Sequence, residues 1–221
     1  MGLDMYLSKA KRIDNVTPDY LSRIDEYWSW CLRGEKYRDC DMKKWCGVDL
    51  SEVDLDLAAK YFDEYIRRYS TWDTEKKYGF YTIEEPVGYW RKANHIHNWF
   101  VENVQDGIDE CQPTEVTAEQ LEDLLDICKR VKEASKMVDG KVWNGTTYSL
   151  EGVVEHWDDG KVIEDVTVAE ELLPTANGFF FGSTEYDQYY MEGIDHTIEV
   201  LEKVLNETDF SEYMIIYQAS W

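Results

Sequence analysis

The stretch of sequence that decides the fold is VGYWRKANHIHNWFVENV, residues 87–104. It concentrates aromatic, basic, imidazole and amide side chains, and it follows Pro86, which suits the first turn of a helix. Its apolar residues recur at intervals of three or four, as on the buried face of a helix. They are Tyr89, Ala93, Ile96, Phe100 and Val104. The pattern predicts a helix over residues 87–104 that ends at the turn pair Asp106–Gly107 and has a polar flank.

Strands are predicted at both ends of the chain. Residues 3–7, LDMYL, alternate apolar and polar side chains, which is the period of a half-buried strand. Residues 212–221, EYMIIYQASW, are rich in β-branched and aromatic side chains, as is typical of a central strand. We expect this strand to pair with the first one. A further strand is predicted over residues 78–85, directly before the helix.

Helix start signals precede four other apolar patterns. The predicted starts are Thr17 with Pro18 for a helix ending at Gly34, Ser51 for one running to Tyr69, Thr117 with Gln120 as a capping box, and Ser183 or Thr184 before a helix that begins at Tyr186. For the last of these, a second interpretation is that the backbone N–H groups of residues 182–184 bind an anion. Capping is the simpler role.

Two turn signals predict a small β-lobe between the later helices. Asn144–Gly145 lies within KVWNGTTYSL, and Asp158–Asp159–Gly160 separates two β-branched runs. Residues 141–167 are therefore predicted to form short antiparallel strands, as a β-hairpin insertion. The sequence shows no internal repeat or flexible linker, so residues 1–221 are predicted to be a single α+β domain. Its mostly antiparallel sheet would pair the terminal strands and be flanked by four to five helices.

The negative charge of the chain is large and unevenly distributed. The net charge is −23, and residues 151–221 hold 17 acidic and 2 basic side chains, a net charge of −15. Such a field repels nucleic acid and anionic membranes and steers the molecule towards a basic protein. The alternative is that the acid is a solubility or composition feature. The residues expected to contact a basic partner are Glu151, Glu155, Trp157, Asp158, Asp159, Glu164, Asp165, Glu170 and Glu171.

The sequence also predicts the compartment. No apolar run approaches the ~20 residues of a membrane span, and the start MGLDMYLSKAKR has neither part of a secretory signal. The five cysteines are an odd number without CxxC spacing, which indicates reduced thiols in a cytosol. We therefore expect a cytoplasmic protein without membrane contact.

The polar flank of the predicted 87–104 helix suggests a second kind of site, one for a nucleotide or small anionic ligand. A tryptophan would stack on a base, Arg91 and Lys92 would meet phosphate, and the amide and imidazole groups would bind base or ribose. The competing interpretation is structural, with the two cations paired to carboxylates and the aromatic rings in the core. The residues of this predicted ligand site are Trp90, Arg91, Lys92, Asn94, His97, Trp99 and Ser183.

Metal and catalytic interpretations are weaker. On a helix, His95 and His97 point about 200° apart, so they cannot share an ion with Glu110 and Cys111. A hydrolase built on His97 with Cys111 or Ser183 lacks a nucleophile-elbow pattern and an assignable acid. We assign no metal, no cofactor and no catalytic residue, and we favour a non-enzymatic protein.

Four phrases resemble a family of uncharacterised small proteins of bacteriophages and prophages. They are MGLDMYL, GYWRKANHIHNWF, GFFFGSTEYDQYY and the ending YQASW. The resemblance implies a phage-encoded protein made in the cytosol of an infected or lysogenic bacterium, where accessory proteins of this size often bind host factors. The expected function is therefore an acidic binding protein that inhibits or modulates a basic host nuclease or defence protein, in counter-defence, by imitating nucleic acid. The alternative is nucleotide binding or sequestration.

Overall fold

The computed structural model describes residues 2–12, 16–23, 67–70, 79–82, 84–149, 152–178 and 180–221. Residues 18–23 are helical. The other elements of these residues are β1 (Asp4–Lys11), β2 (Arg67–Ser70), β3 (Gly79–Thr82), β4 (Glu85–Arg91), α1 (Asn94–Val104), β5 (Thr114–Val116), α2 (Ala118–Ala134), β6 (Met137–Ser149), β7 (Gly152–Ile163), α3 (Thr167–Leu172), α4 (Gln188–Glu207) and β8 (Tyr213–Ser220). They confirm the predicted α+β class.

The central sheet is antiparallel and has the strand order β4-β1-β8-β5. Strands β1 and β8 pair along their whole length, from Asp4 opposite Ser220 to Lys11 opposite Tyr213. This confirms the predicted pairing of the terminal strands. The residues of β8 from 214 to 217 are buried in succession, as expected of a strand covered on both faces. β2 with β3 and β6 with β7 form two separate two-stranded sheets.

One hydrophobic cluster joins the sheet to the helices. In β1, the side chains of Met5 and Leu7 are fully buried and alternate with the exposed Tyr6, as the predicted period requires. In α2, the buried stripe consists of Leu121, Leu124, Cys128 and Val131. No helix in the described part of the chain is long and apolar enough to cross a membrane.

The single helix predicted over residues 87–104 is wrong in its first third. Residues 85–91 form the edge strand β4, in which Pro86 pairs with Ser8 of β1, and the helix α1 begins only at Asn94. An edge strand tolerates proline because one side of its backbone has no partner strand. Tyr89, expected in the core, is 46% exposed. The helical spacing is genuine only from Ala93 onwards, and the predicted end near Asp106–Gly107 is confirmed.

The predicted β-lobe exists, but its turns lie elsewhere. β6 and β7 form one long hairpin, in which Ser149 pairs with Gly152. Asn144–Gly145 lies at a bulge within β6, and Asp158–Gly160 lies within β7 opposite residues 140–142. Gly145 has a φ of 110°, which glycine adopts easily. The same residue type that suits a tight turn therefore forms a β-bulge here. The two predicted turns are therefore wrong, while the antiparallel pairing is right.

The remaining predictions have mixed outcomes. The helix start at Thr17 is confirmed, because its Oγ1 accepts the N–H of Tyr20 at 3.3 Å; residues 24–34 lie outside the described residues. The predicted helix over residues 51–69 is wrong at its end, since Tyr69 lies in β2 opposite Phe80 of β3, and residues 51–66 are outside the described part. Pairing with β3 outweighs the helical spacing there.

The capping box at the start of α2 yields a stability prediction. The Thr117 Oγ1 accepts the N–H of Gln120 at 3.2 Å, and the Gln120 Oε1 accepts the N–H of Thr117 at 2.9 Å. We expect Thr117→Ala to lower the free energy of unfolding by about 1 kcal/mol, because one N–H loses its acceptor. Urea unfolding would measure this, with Thr117→Ser as the control that keeps the hydroxyl. Equal losses in both variants would contradict the assignment of the cap.

Candidate functional site

A cavity of about 640 Å³ lies where four parts of the fold meet. They are the junction of β4 with α1, the bulge of β6, the loop that joins α3 to α4, and the first turns of α4. Its volume is in the range of pockets that hold small ligands. Five of the seven residues of the predicted ligand site line it: Trp90, Arg91, Lys92, Asn94 and Ser183.

The backbone at the β4–α1 junction is strained beside this cavity. Lys92 has a φ of 58°, a left-handed conformation that non-glycine residues rarely adopt. Its N–H donates to the carbonyl of Leu3 at 2.8 Å, and its stem packs against Gly182, which has a φ of 90°. Such conformations persist where surrounding contacts hold them, and they cluster at functional sites.

Two basic side chains line the cavity on this side. The Arg91 Nη1 lies 3.4 Å from the Asp4 Oδ1, and the Arg91 side chain is 57% exposed. Lys92 forms no ion pair with any residue that the structure describes. Lys203 of α4 is likewise exposed and has no ion pair with the described residues, but it lies outside the cavity lining. The expectation that both cations are paired to carboxylates therefore holds only for Arg91.

Aromatic side chains form other parts of the wall. Tyr89 is 46% and Tyr189 is 56% exposed, and Trp143, beside the β6 bulge, is half-buried. Trp90, in contrast, is buried and donates its Nε1–H to the Thr197 hydroxyl at 2.9 Å. The rings available for stacking on a ligand are thus those of Tyr89, Trp143 and Tyr189. The sequence did not single these out, because Tyr89 fitted a helical stripe and the other two lie far away along the chain.

Asn94 holds the loop that forms one side of the cavity. Its Nδ2 donates to the carbonyls of Phe181 at 3.1 Å and Ser183 at 2.7 Å, and its Oδ1 accepts the N–H of Ala176 at 3.1 Å. Both amide hydrogens are therefore used within the protein. The sequence analysis predicted that Asn94 would bind a ligand. Its amide instead positions the loop, and its N–H groups are not free for a ligand. The Ser183 Oγ is also engaged, accepting the N–H of Glu185 at 3.1 Å.

His97 and Trp99 lie outside the cavity lining. The His97 Nδ1 is 2.7 Å from the Tyr217 hydroxyl, and its Nε2 is 3.1 Å from the Asp109 Oδ2. Burial raises the pKa of Tyr217 well above its ordinary value, so the phenol is neutral. This network ties α1 to β8. Trp99 packs edge-on against Phe100, with 5.4 Å between ring centroids. His97 and Trp99, both predicted to bind a ligand, therefore stabilise the fold and do not line the cavity.

Two buried polar side chains in the cavity wall were not predicted. His95 is 4% and Asp187 is 1% exposed, and within the described part of the chain neither the His95 Nε2 nor the Asp187 Oδ2 has a hydrogen-bond partner. The other Asp187 oxygen accepts the N–H groups of Tyr189 and Tyr190, so Asp187 is the N-cap of α4. The predicted caps Ser183 and Thr184 are therefore wrong. The signal was available, since Asp187 directly precedes the apolar pattern of α4.

Burial sets the protonation of these two groups. It lowers the pKa of His95 to about 3, so the ring is neutral; it packs at a tilt against Tyr190, with 4.2 Å between the ring centroids. It also raises the pKa of Asp187, although the capped backbone N–H groups act against the increase. A buried polar atom without a partner costs about 1–3 kcal/mol. Two such atoms in one wall are a feature that needs an explanation.

The acidic residues predicted to meet a partner lie mainly on the hairpin and around α3. Several are paired locally: Asp158 accepts the Asn144 Nδ2, Asp159 pairs with Lys141, Glu164 pairs with Lys136, and Asp165 accepts the N–H and hydroxyl of Thr167. Glu155, Glu170 and Glu171 are exposed, Trp157 is 41% exposed, and Glu151 lies outside the described residues. Among the described residues, no three His, Cys, Asp or Glu side chains come together as a metal site requires.

Comparison with known proteins identifies no relative. No protein-family model matches the sequence, no curated protein matches it, and no solved structure matches the fold. The resemblance to phage proteins thus remains a prediction from the quoted phrases. Function has to be argued from the cavity and the surface.

The burial of His95 predicts a pH dependence of stability. In the unfolded chain a histidine titrates near pH 6.5, whereas His95 in the folded protein has a pKa of about 3. Between these values the unfolded state binds more protons, so the free energy of unfolding falls as the pH falls. We expect wild type to lose about 2 kcal/mol relative to His95→Phe between pH 7.5 and pH 5.

Urea unfolding at several pH values would measure this difference. Phenylalanine keeps the ring contact with Tyr190 and has no group to titrate. The contribution of Asp187 has the opposite sign, because its raised pKa makes the folded state the one that binds more protons, and it is common to both proteins. Parallel pH curves for the two proteins would rule out a neutral, buried His95.

Proposed function

We propose that the protein binds or sequesters a small planar anionic ligand, of nucleotide type, in this cavity. The observation that carries the proposal is the position of Lys92 at the cavity. It is held in a strained conformation at the wall of an aromatic cavity and lacks an ion-pair partner in the described structure. The strained backbone is of the kind that clusters at functional sites, and the exposed ammonium is free to bind an anion.

The cavity has a chemical polarity that suits a nucleotide. Arg91 and Lys92 provide positive charge on the β4 side, whereas Glu185 and Glu192 line the cavity elsewhere. A phosphate group would therefore be bound by the two basic residues. The base would stack on the partly exposed rings, which contributes roughly 1–3 kcal/mol per base in other proteins. The proposal is one of binding, and it assigns no reaction.

Titration of the protein with nucleotides tests this proposal. We expect at least one nucleoside monophosphate or triphosphate to raise the melting temperature and to bind in calorimetry. Lys92→Met should weaken binding about tenfold, because the ammonium is lost while the length of the side chain is kept. Lys203→Met, at an exposed lysine of α4 outside the cavity lining, is the matched control. If no nucleotide binds wild type, or if both variants bind alike, the proposal fails.

A second candidate function is favoured by the surface of β7. Residues 152–159 are all exposed, and they include Val153 at 64%, Val154 at 54% and Trp157 at 41% exposure, with acidic neighbours such as Glu155. Exposed apolar residues among polar ones mark contact surfaces, and the acid would complement a basic partner. We propose that a phage-encoded cytoplasmic protein would use this surface to bind and inhibit a basic host factor in counter-defence.

Affinity capture from bacterial lysate tests this second candidate. We expect a basic protein to be captured at low salt and lost at high salt, since screening weakens exposed charge pairs. Trp157→Ser should abolish capture, as exposed tryptophans often dominate interfaces. Trp221→Ser changes a tryptophan of similar exposure, 47%, outside the hairpin, and should have no effect. Capture that is independent of both salt and Trp157 would refute the role of the hairpin.

A further inference from the structure

We infer that the planar group of the ligand is a guanine base and that Asp187 recognises it at the α4 side of the cavity. The inference rests on the proposed nucleotide-binding function and names the base. The two oxygens of the Asp187 carboxyl group have different surroundings. It assigns the phosphate of the same nucleotide to Lys92 and Arg91.

Asp187 has one oxygen committed to the fold and one that is open. The Oδ1 accepts the N–H of Tyr189 at 2.8 Å and the N–H of Tyr190 at 3.2 Å, which fixes the side chain at the start of α4. Asp187 lines the cavity, and its Oδ2 is buried and has no hydrogen-bond partner among the described residues. The cap does not need the Oδ2, because serine and asparagine cap helices equally well with one acceptor. Among the described residues, no hydrogen-bond donor reaches the Oδ2, and a ligand could supply one.

His95 supplies the second open group in the same wall. Its Nε2 is buried and has no partner in the residues that the structure describes, and its ring packs against Tyr190 at a tilt of 37°. A neutral imidazole carries one N–H donor and one acceptor nitrogen, so it can donate to an acceptor of the ligand. The wall thus offers an acceptor oxygen at Asp187 and, when the proton of the imidazole is on the Nε2, a donor at His95.

Guanine is the base whose edges match this pair. Its ring N1–H and its 2-amino group are adjacent donors, and the two free lone pairs of one carboxylate oxygen can accept both of them. Its O6 and N7 are acceptors, which suit an imidazole donor. Adenine instead places an acceptor nitrogen next to its amino group, and uracil has a single donor between two acceptors. A site with unmet polar groups discriminates strongly against a base that cannot satisfy them.

Calorimetry on the full chain with GMP, IMP, AMP and inorganic phosphate tests the inference. IMP differs from GMP only by the missing 2-amino group. We expect GMP to bind wild type roughly tenfold or more tightly than IMP, and AMP to bind more weakly than GMP by at least as much. Inorganic phosphate should bind weakly and in a manner that depends on Lys92 but not on Asp187.

Two variants separate base recognition from helix capping. Asp187→Asn keeps the capping oxygen and converts the open acceptor into an N–H donor, and Asp187→Ser keeps a cap and removes the open group. We expect each to weaken GMP binding by roughly tenfold or more and to leave the affinity for inorganic phosphate unchanged. Melting temperatures close to that of wild type show that α4 is intact. The ranking of nucleotides on wild type does not depend on either variant.

The outcomes distinguish the two proposals. If wild type binds no nucleotide, the proposed function fails and the inference fails with it. If nucleotides bind in a Lys92-dependent manner but GMP, IMP and AMP have equal affinities, the site is a nucleotide site that does not recognise guanine. Unchanged GMP affinity in Asp187→Asn and Asp187→Ser also overturns the role of Asp187 and leaves the proposed function standing.

Discussion

The left-handed backbone of Lys92 is the constraint on which the rest of the site depends. At this residue the chain leaves the edge strand β4, and within two residues it enters α1. The hydrogen bond from its N–H to the Leu3 carbonyl secures the turn to the residue just before β1. Because the turn is sharp, Tyr89, Arg91 and Lys92 remain on the strand side of the cavity, whereas Asn94 and His95 enter it from the helix. A continuous helix would have spread these side chains around its axis.

Some buried polar groups near α1 have hydrogen-bond partners within the protein, and others do not. The first kind stabilises the fold, and the second kind is the candidate for ligand binding. Asn94 and His97 have their hydrogen-bonding groups satisfied by the loop, by β8 and by Asp109. Those bonds stabilise the fold, and neither side chain needs anything from outside the chain. The Nε2 of His95 and the Oδ2 of Asp187 have no such partners among the described residues, although both side chains are as deeply buried. Both residues line the cavity, which is the position expected of ligand-binding groups.

The sequence predicted the elements whose signals are local. The strand periods at the termini, the capping box at Thr117 and the turn at Asp106–Gly107 depend on neighbouring residues, and all are confirmed. The errors occurred where tertiary contacts decide. Residues 85–91 have a spacing compatible with a helix, but pairing with β1 makes them a strand. Asn144–Gly145 permits a turn or a bulge, and only its partner strand determines which one forms.

The candidate site was predictable in part for the same reason. Arg91, Lys92 and Asn94 were identified because they are close in sequence, and they line the cavity even though they do not share one helix. Trp143, Asp187 and Tyr189 come from the hairpin and from α4, so no local pattern connects them with residues 90–94. Asp187 was interpreted only as a contributor to the start of a helix. Its second oxygen is buried without a hydrogen-bond partner among the described residues, and only the tertiary structure shows this.

A strongly negative protein can still bind an anion, because the attraction by nearby basic residues is short-range, whereas the repulsion by distant carboxylates is screened. At physiological salt, charges separated by more than about 8 Å are largely screened, so a phosphate bound beside Arg91 and Lys92 responds chiefly to the charges that line the cavity. A long nucleic acid would also have to approach the acidic hairpin and α3, where its repeated charges add to the repulsion. Under the proposed function, the acidic surface therefore selects single nucleotides over polymers. The charge distribution then contributes to the preference of the cavity for single nucleotides, and this role is compatible with binding of a basic protein by the hairpin.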